Sequence, residues 1–368
     1  MRIVYFTHSL ASCWNHGNAH FQRGLLRELA ARGHCVTACE PAQAWSRENL
    51  IADHGEVQLS RFRARFPEVD ARSYDASLDL VCMLHDADLV LVHEWTAPEI
   101  VRAIGTLRKR QGRFVLLFHD THHRAVSDLA SMRRLDLSGY DGVLAFGESL
   151  AQVYRREGWG NRVFVFHEAA DTRLFRPLPS ADPVPDVVWI GNWGDGERSE
   201  EIAAFLLRPA RDLGLPVDVY GVRYPDSALQ TLAEYGACYH GWLANFDVPA
   251  VFARHRMTVH IPRRFYTSLL PGIPTIRVFE ALACGIPLIC APWDDCEGLF
   301  APGTDYLIAS DEAGMRAQMR ALMADKGLCT SLIRSGLERI RGRHTCAHRA
   351  DQLLSIFADV ASPVAGAA

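Results

Sequence analysis

Lysine is all but missing: Lys109 and Lys326 are the only two among 39 basic residues. Any anion clamp in this chain must therefore be built from arginine, histidine or backbone N–H groups. The net charge of −4 over 368 residues lacks the basic excess of a dedicated nucleic-acid binder. No apolar run approaches the ~20 residues that span a bilayer; the greasiest stretch, Ala281 to Ala291, is interrupted by Gly285 and Pro287. The opening Met1–Phe6 has a buried-strand pattern and is too short for a signal-peptide core. Cysteines at paired ligand spacing are also lacking. Cys35 and Cys39 flank a strand-like segment, and His344, Cys346 and His348 alternate near the end, but neither set has the spacing of a zinc site. These are expected to be thiols and surface histidines. Cys82, Cys284 and Cys290 lie in apolar runs, where buried free thiols are the default without secretion. A cytoplasmic protein without a metal centre is expected.

What the chain does have is a recurring apolar segment followed by a helical pattern. Strands are expected at Ile3–Phe6, Cys35–Cys39, Leu89–Val92, Phe114–Phe118, Val143–Phe146 and Val163–Phe166. A second set is expected at Val187–Ile190, Val217–Tyr220, Cys238–His240, Thr258–Ile261, Pro287–Cys290 and Tyr306–Ile308. Runs without polar alternation suit parallel sheets covered on both faces, and their alternation with helices indicates doubly wound α/β domains. Between the sets, Pro177 to Pro185 carries four prolines in nine residues, which makes a semi-rigid connector. The expected organisation is a first Rossmann-like domain over 1–176, a proline-rich linker over 177–186 and a second Rossmann-like domain over 187–345. The helix and tail over 346–368 are expected to return to the first domain.

Open parallel sheets bind ligands beyond the carboxyl ends of their strands, near helix N-termini that attract phosphate. Thr7 to Asn18 follows the first strand and offers Gly17 for close backbone approach. It lacks the triple-glycine spacing of a dinucleotide fingerprint and the Gly-Lys-Ser/Thr of a Walker loop. His119-Asp120-Thr121-His122-His123-Arg124 ends another strand; the group offers metal-ligand types, but substrate contact is the preferred reading. Glu168 follows the last strand of the first set. Gly191-Asn192-Trp193-Gly194-Asp195-Gly196-Glu197-Arg198 opens the second half as a second phosphate cradle. In Pro271 to Ile289, Thr275 can cap a helix that ends at Gly285. Val278, Leu282 and Ala283 would face the sheet. Glu280 stands among apolar neighbours, where a lone carboxylate is costly. A ribose diol, Arg277 or a backbone amide would each satisfy it.

Arg277-Val278-Phe279-Glu280-Ala281-Leu282-Ala283-Cys284-Gly285-Ile286-Pro287 resembles the sugar-nucleotide motif of GT-B-fold glycosyltransferases. The Arg-Val-Phe-Glu form is most similar to the CgeB-like (spore-maturation-protein-like) branch of the family 1/4-type glycosyl transferases. Asn15-His16-Gly17-Asn18-Ala19 with Leu25 to His34, Asp171 to Pro177, and His240-Gly241-Trp242 resemble further segments of that group in the same order along the chain.

The resemblance implies two Rossmann-like domains facing across a cleft, with the acceptor on the first and a nucleotide-diphosphate-sugar donor on the second. It implies that Glu280 binds the donor ribose, and that Arg198, Asn192 and the Gly191–Gly196 loop contact the diphosphate. Gly17 and Asn18 approach from the first domain, and Trp242 and Leu243 line the base pocket. His119 meets the transferred sugar. Asp120, next to it at the strand end, is the second expected catalytic residue. Thr275 and Arg277 belong to the donor site, and the amides of Gly272 and Ile273 reach sugar hydroxyls. Gly272 occupies the position where many retaining relatives carry a first glutamate. No cofactor and no metal are implied, because helix dipoles and basic groups neutralise the leaving diphosphate; retention of configuration is expected. A nucleotide-sugar epimerase of the same fold and a noncatalytic nucleotide-sugar binder are the alternatives. The acceptor, whether glycan, protein or lipid-linked, is not named by any motif. Ser60-Arg61-Phe62-Arg63-Ala64-Arg65-Phe66 alternates cations with apolar residues, as an edge strand or loop would. Arg102, Arg108, Lys109, Arg110 and Arg113 form a basic helix end compatible with peripheral contact at the inner face of a membrane.

Overall fold

The computed structural model describes residues 1–15, 17–179, 186–194 and 196–362. His16, Asp195 and most of the proline-rich linker, from 180 to 185, lie outside the described residues. The chain forms two compact units: Met1–Glu168 with the chain from Cys346 onward, and Ala169–Thr345.

The first unit holds a seven-stranded sheet of β1 (Arg2–Phe6), β2 (Cys35–Pro41), β3 (Asp70–Tyr74), β4 (Leu89–His93), β5 (Val115–Asp120), β6 (Gly142–Ala145) and β7 (Val163–Val165). All pairings are parallel, in the order β3-β2-β1-β4-β5-β6-β7. The central strands are apolar and buried end to end, because helices cover both faces and leave no solvent side to alternate with. Helix Ala19–Ala31 buries Phe21, Leu25, Leu26 and Leu29. The last helix, Cys346–Ala361, packs along it, and Arg32 ties the two through Asp351 and the Ala347 carbonyl. Arg349 and Gln352 of the same helix donate to the His167 and Val165 carbonyls.

The second unit holds a six-stranded sheet of β8 (Val187–Ile190), β9 (Val217–Tyr220), β10 (Cys238–Tyr239), β11 (Met257–His260), β12 (Leu288–Cys290) and β13 (Leu307–Ile308). It too is wholly parallel, in the order β10-β9-β8-β11-β12-β13. In each sheet the order in which strands are added reverses once, between β1 and β4 in the first unit and between β8 and β11 in the second. Those reversals are topological switch points, where loops leaving neighbouring strands diverge and open a crevice.

Four expectations are corrected. Strand β3 was not anticipated: Asp-Ala-Arg-Ser-Tyr is exposed along most of its length and pairs on one side only, so it carries no apolar signal. Ser60–Phe66 is neither strand nor loop but the last turns of helix Val57–Arg65 and the residue after it. Leu59, Phe62 and Phe66, spaced three and four apart, are buried while Arg61, Arg63 and Arg65 are exposed, and that stripe outweighs the local alternation. Cys82 is an exposed thiol, unlike the buried Cys284 and Cys290. His344 is no surface histidine; it is buried against Phe279 and Phe300, with Nε2 3.0 Å from the Leu299 carbonyl.

Candidate active site

In the second unit, the loops after β8 and β11 meet at the switch point through Arg198. One of its terminal nitrogens donates to the Ile261 carbonyl at 3.0 Å, the other to the Asn192 carbonyl, and its guanidinium carbon lies 5.3 Å from the Trp189 ring centre. Gly194 makes room for this: its φ is +96°, and a Cβ there would come within 2.9 Å of Arg198 Cγ. The Asn192 side chain accepts from the Val222 N–H at 3.1 Å, bracing the loop after β9. Burial lowers the Arg198 pKa to about 10, and the charges of Arg263 and Arg277 push the same way. His260, at the end of β11, is held down to about 3 by burial and by Arg198 and Arg277. Three guanidinium groups thus bear on one small region; Arg263 lies 3.5 Å from Glu197.

The same region contains the start of helix Ile276–Cys284. Thr275 occupies its N-cap with extended backbone, but its hydroxyl pairs with His260 Nε2 at 3.0 Å rather than capping the helix. Gly285 ends the helix in the left-handed conformation at φ +69°. Glu280 has no exposed surface. Its Oε1 accepts from Asn245 Nδ2 at 2.7 Å, and its Oε2 pairs with Arg277 one turn earlier. The chain's own groups therefore engage both carboxylate oxygens. Gly272, at φ +87°, is buried where a Cβ would overlap Cys296 Sγ, so a glutamate there would strain the backbone and displace that sulfur. Ile273 is buried beside it. Trp242 and Leu243 are half-buried after β10. A cavity of about 510 Å³ opens among Trp193, Gly196, Ser199, Arg223 and Tyr224.

In the first unit, His119 and Asp120 end β5 and point to opposite faces, as successive strand residues must. His119 is wholly buried among Tyr5, Phe21, His93 and Phe166; its Nδ1 is 2.7 Å from the Tyr5 hydroxyl, and burial lowers its pKa to about 3. Asp120 accepts from the Tyr154 hydroxyl at 2.7 Å and from the His122 N–H at 2.9 Å. Burial raises its pKa to about 6. The neighbouring Glu94 is also buried and held well above the usual carboxylate range by burial, with Asp120 adding to the effect. Arg124 opposes that shift from 3.6 Å, donates to the Glu94 carbonyl, and stacks its guanidinium 4.2 Å from the Trp95 ring centre. His8 and His122 flank the same indole. Asn18 donates its side-chain amide to the Thr121 carbonyl and hydroxyl, tying the loop after β1 to the end of β5, next to the half-buried Gly17.

Residues 198–355 match the family model described as glycosyl transferase-like. Sucrose-phosphate synthase from Thermosynechococcus elongatus superposes with a TM-score of 0.65 at 14% identity, over 98% of this chain and 99% of that one. HepE from Anabaena, determined in complex with UDP, gives 0.67 at 14% identity, over 98% and 100%. The glucosyltransferase BGT of T4 phage, solved with UDP-glucose, gives 0.64 at 13%, over 98% and 100%. No curated protein matches the sequence. The chain has the GT-B fold of these solved structures, and residues 198–355 are similar to the glycosyl transferase-like family.

Within this GT-B chain, the second unit brings Asn192, Arg198, Thr275, Arg277 and Glu280 into one connected set of contacts. In the first unit the expected catalytic pair does not converge: His119 and Asp120 serve different faces of β5, and His119 offers no surface. Sequence reasoning missed Arg263, Asn245 and His260 as members of this set of contacts, and Trp95 and His8 in the first unit. Arg263 follows its strand by three residues, a position the strand-end rule identifies; Asn245 has no local signal, since its partner is thirty-five residues away.

Proposed function

We propose that this chain transfers a sugar from a nucleoside-diphosphate-sugar donor to an acceptor, with the diphosphate held by Arg198, Arg263 and Arg277. The observation that carries this reading is the concentration of three guanidinium groups at the switch point of the second sheet, beside the N-terminus of helix Ile276–Cys284. A diphosphate offers the negative charge and the acceptor oxygens to match them, and the same groups stabilise it as it leaves. Neutralisation by arginine and helix dipole is the basis for a metal-independent reaction. Glu280 fixes Arg277 in this arrangement, and ribose binding at Glu280 proceeds by replacing one of its present partners. The Gly272 and Ile273 amides address sugar hydroxyls, and Trp242 and Leu243 border the base. UDP, present in the HepE complexes, is the nucleotide to test first.

The first unit receives the acceptor, with Gly17 and Asn18 shaping its edge. His119 and Asp120 act there as positioning residues: Asp120 holds the His122 amide, and His119 braces Tyr5 beneath the loop. The likeness to the CgeB-like branch and retention of configuration rest on the Arg277–Pro287 segment. The exposed Arg61, Arg63 and Arg65 suit an acidic acceptor or lipid headgroup.

Calorimetric titration with UDP, together with UDP release from a panel of UDP-sugars, tests the proposal. One charge-assisted hydrogen bond is worth about 1.5–3 kcal/mol, so Arg263→Met and Arg277→Met are each expected to weaken UDP binding by about ten- to a hundredfold. Turnover is expected to survive chelator. UDP affinity equal to wild type in both folded variants would remove the arginines from the donor site.

A further inference from the structure

On the outer edge of the second sheet, two strands away from the switch point, β9 and β10 pair in parallel with Cys238 opposite Asp218. His240 follows Cys238 by two residues and so projects to the same side of the strand. A carboxylate oxygen of Asp218, the Cys238 sulfur and an imidazole nitrogen of His240 lie within 4.8 Å of one another. The His240 ring stacks on Tyr220 at 4.7 Å, which fixes its orientation, and its Nε2 is 2.9 Å from Asp218 Oδ1.

A fourth group stands behind them. The His255 side chain is only 2% exposed, with Nε2 3.1 Å from Asp218 Oδ2 and Nδ1 2.7 Å from the Val251 carbonyl. Both ring nitrogens of His255 face oxygen atoms, so the ring links the Asp218 carboxylate to the Val251 carbonyl. The carboxylate thus sits between two imidazole rings with a thiol alongside, and carboxylate, thiol and imidazole are the ligand types of a transition-metal site.

We propose that Asp218, Cys238 and His240 bind one divalent transition metal of the Zn²⁺ class, with His255 orienting Asp218 from behind. Thiolate and imidazole ligands select a borderline-soft ion over Mg²⁺ or Ca²⁺, which take oxygen shells. Binding releases the Cys238 thiol proton to solvent; thiolate and carboxylate then balance the ion's two charges, and water completes a four-coordinate shell. A partner that holds a ligating carboxylate is a common outer-shell device. The ion would staple a two-residue edge strand to its neighbour, a stabilising role separate from donor chemistry.

The test uses the full-length chain after chelator treatment. Titration with Co²⁺ is expected to give one equivalent of binding with a thiolate-to-metal charge-transfer band and the intense visible bands of four-coordinate cobalt. Cys238→Ser, at an exposed position, is expected to abolish the charge-transfer band. In competition with a chromophoric chelator, Cys238→Ser and His240→Gln are expected to weaken Zn²⁺ binding at least tenfold. Zn²⁺ is expected to raise the melting temperature of the wild type but not of Cys238→Ser. Absence of the thiolate band, or Zn²⁺ affinity unchanged in Cys238→Ser, would overturn the proposal.

Discussion

Asp120 keeps its proton to a higher pH in the folded chain than in the unfolded one, about 6 against 3.8, because burial penalises the carboxylate more than the Tyr154 and His122 hydrogen bonds favour it. Between those values the unfolded state has released a proton that the folded state retains. Stability from this group therefore falls as pH rises from about 4 to about 6 and is level above. Asp120→Asn keeps an acceptor for Tyr154 and removes the titration. Relative to wild type, the variant is expected to gain stability between pH ~4 and ~7, by up to ~3 kcal/mol. Urea melts at the two pH values check this; an equal difference at both would show that Asp120 ionises as freely as a surface aspartate. Gly272 makes a second case at this scale, with two separable penalties for a side chain. Gly272→Ala is expected to lower the melting temperature through its left-handed backbone, at a cost of about 1–2 kcal/mol, and through overlap with Cys296 Sγ. Adding Cys296→Ala is expected to restore only the overlap part. Full recovery in the double variant would mean that the backbone carries no strain.

At the scale of elements, what could be read from the sequence depended on burial. The apolar central strands announce themselves, because a parallel strand covered on both faces has no reason to include polar residues; Leu89–Val92 and Val115–Phe118 are of this kind. Asp70–Tyr74 belongs to the same sheet but faces solvent, so its strand character comes from backbone pairing with β2 alone and leaves no mark in composition. The arginine-phenylalanine alternation of Ser60–Phe66 misled for a related reason: a short window shows period two, while the buried positions Leu59, Phe62 and Phe66 follow the helix. Arg198 and Glu280 could be singled out because each sits at a strand end or in a motif. Their partners could not, since Ile261 and Asn245 are brought to them by tertiary packing. His119 was legible as a strand-end residue, but the strand does not say which of its faces is closed by aromatic rings. The left-handed Gly285 and the N-cap position of Thr275 were both visible; that the Thr275 hydroxyl turns to His260 instead of the helix was not.

Taken as a whole, the molecule has an acid limb written into both units. His8 and His119 in the first and His260 in the second have folded pKa values of about 4, 3 and 3, against an ordinary 6.5, because burial disfavours their charged forms. The unfolded chain takes up protons at these sites first as pH falls. Their contribution to stability is complete above pH ~6.5 and is lost progressively toward pH ~3–4, the opposite sense to Asp120. His119→Gln and His260→Gln are each expected to flatten the decline in urea midpoint between pH ~6.5 and ~5. An undiminished slope in both would assign acid lability to other groups.

The covering of helix Ala19–Ala31 by Cys346–Ala361 has a consequence in time as well as in space. The second unit is a single uninterrupted stretch, whereas the first is assembled from the two extremities of the polypeptide. During synthesis, the first sheet emerges from the ribosome long before the helix that closes over Phe21 and supplies Arg349 to His167. The second unit has all of its own residues as soon as Thr345 is out, so it can finish folding while the first still waits. The final segment then acts as a latch, and a chain truncated just before Cys346 keeps every residue of the second unit while the first lacks the helix that covers it.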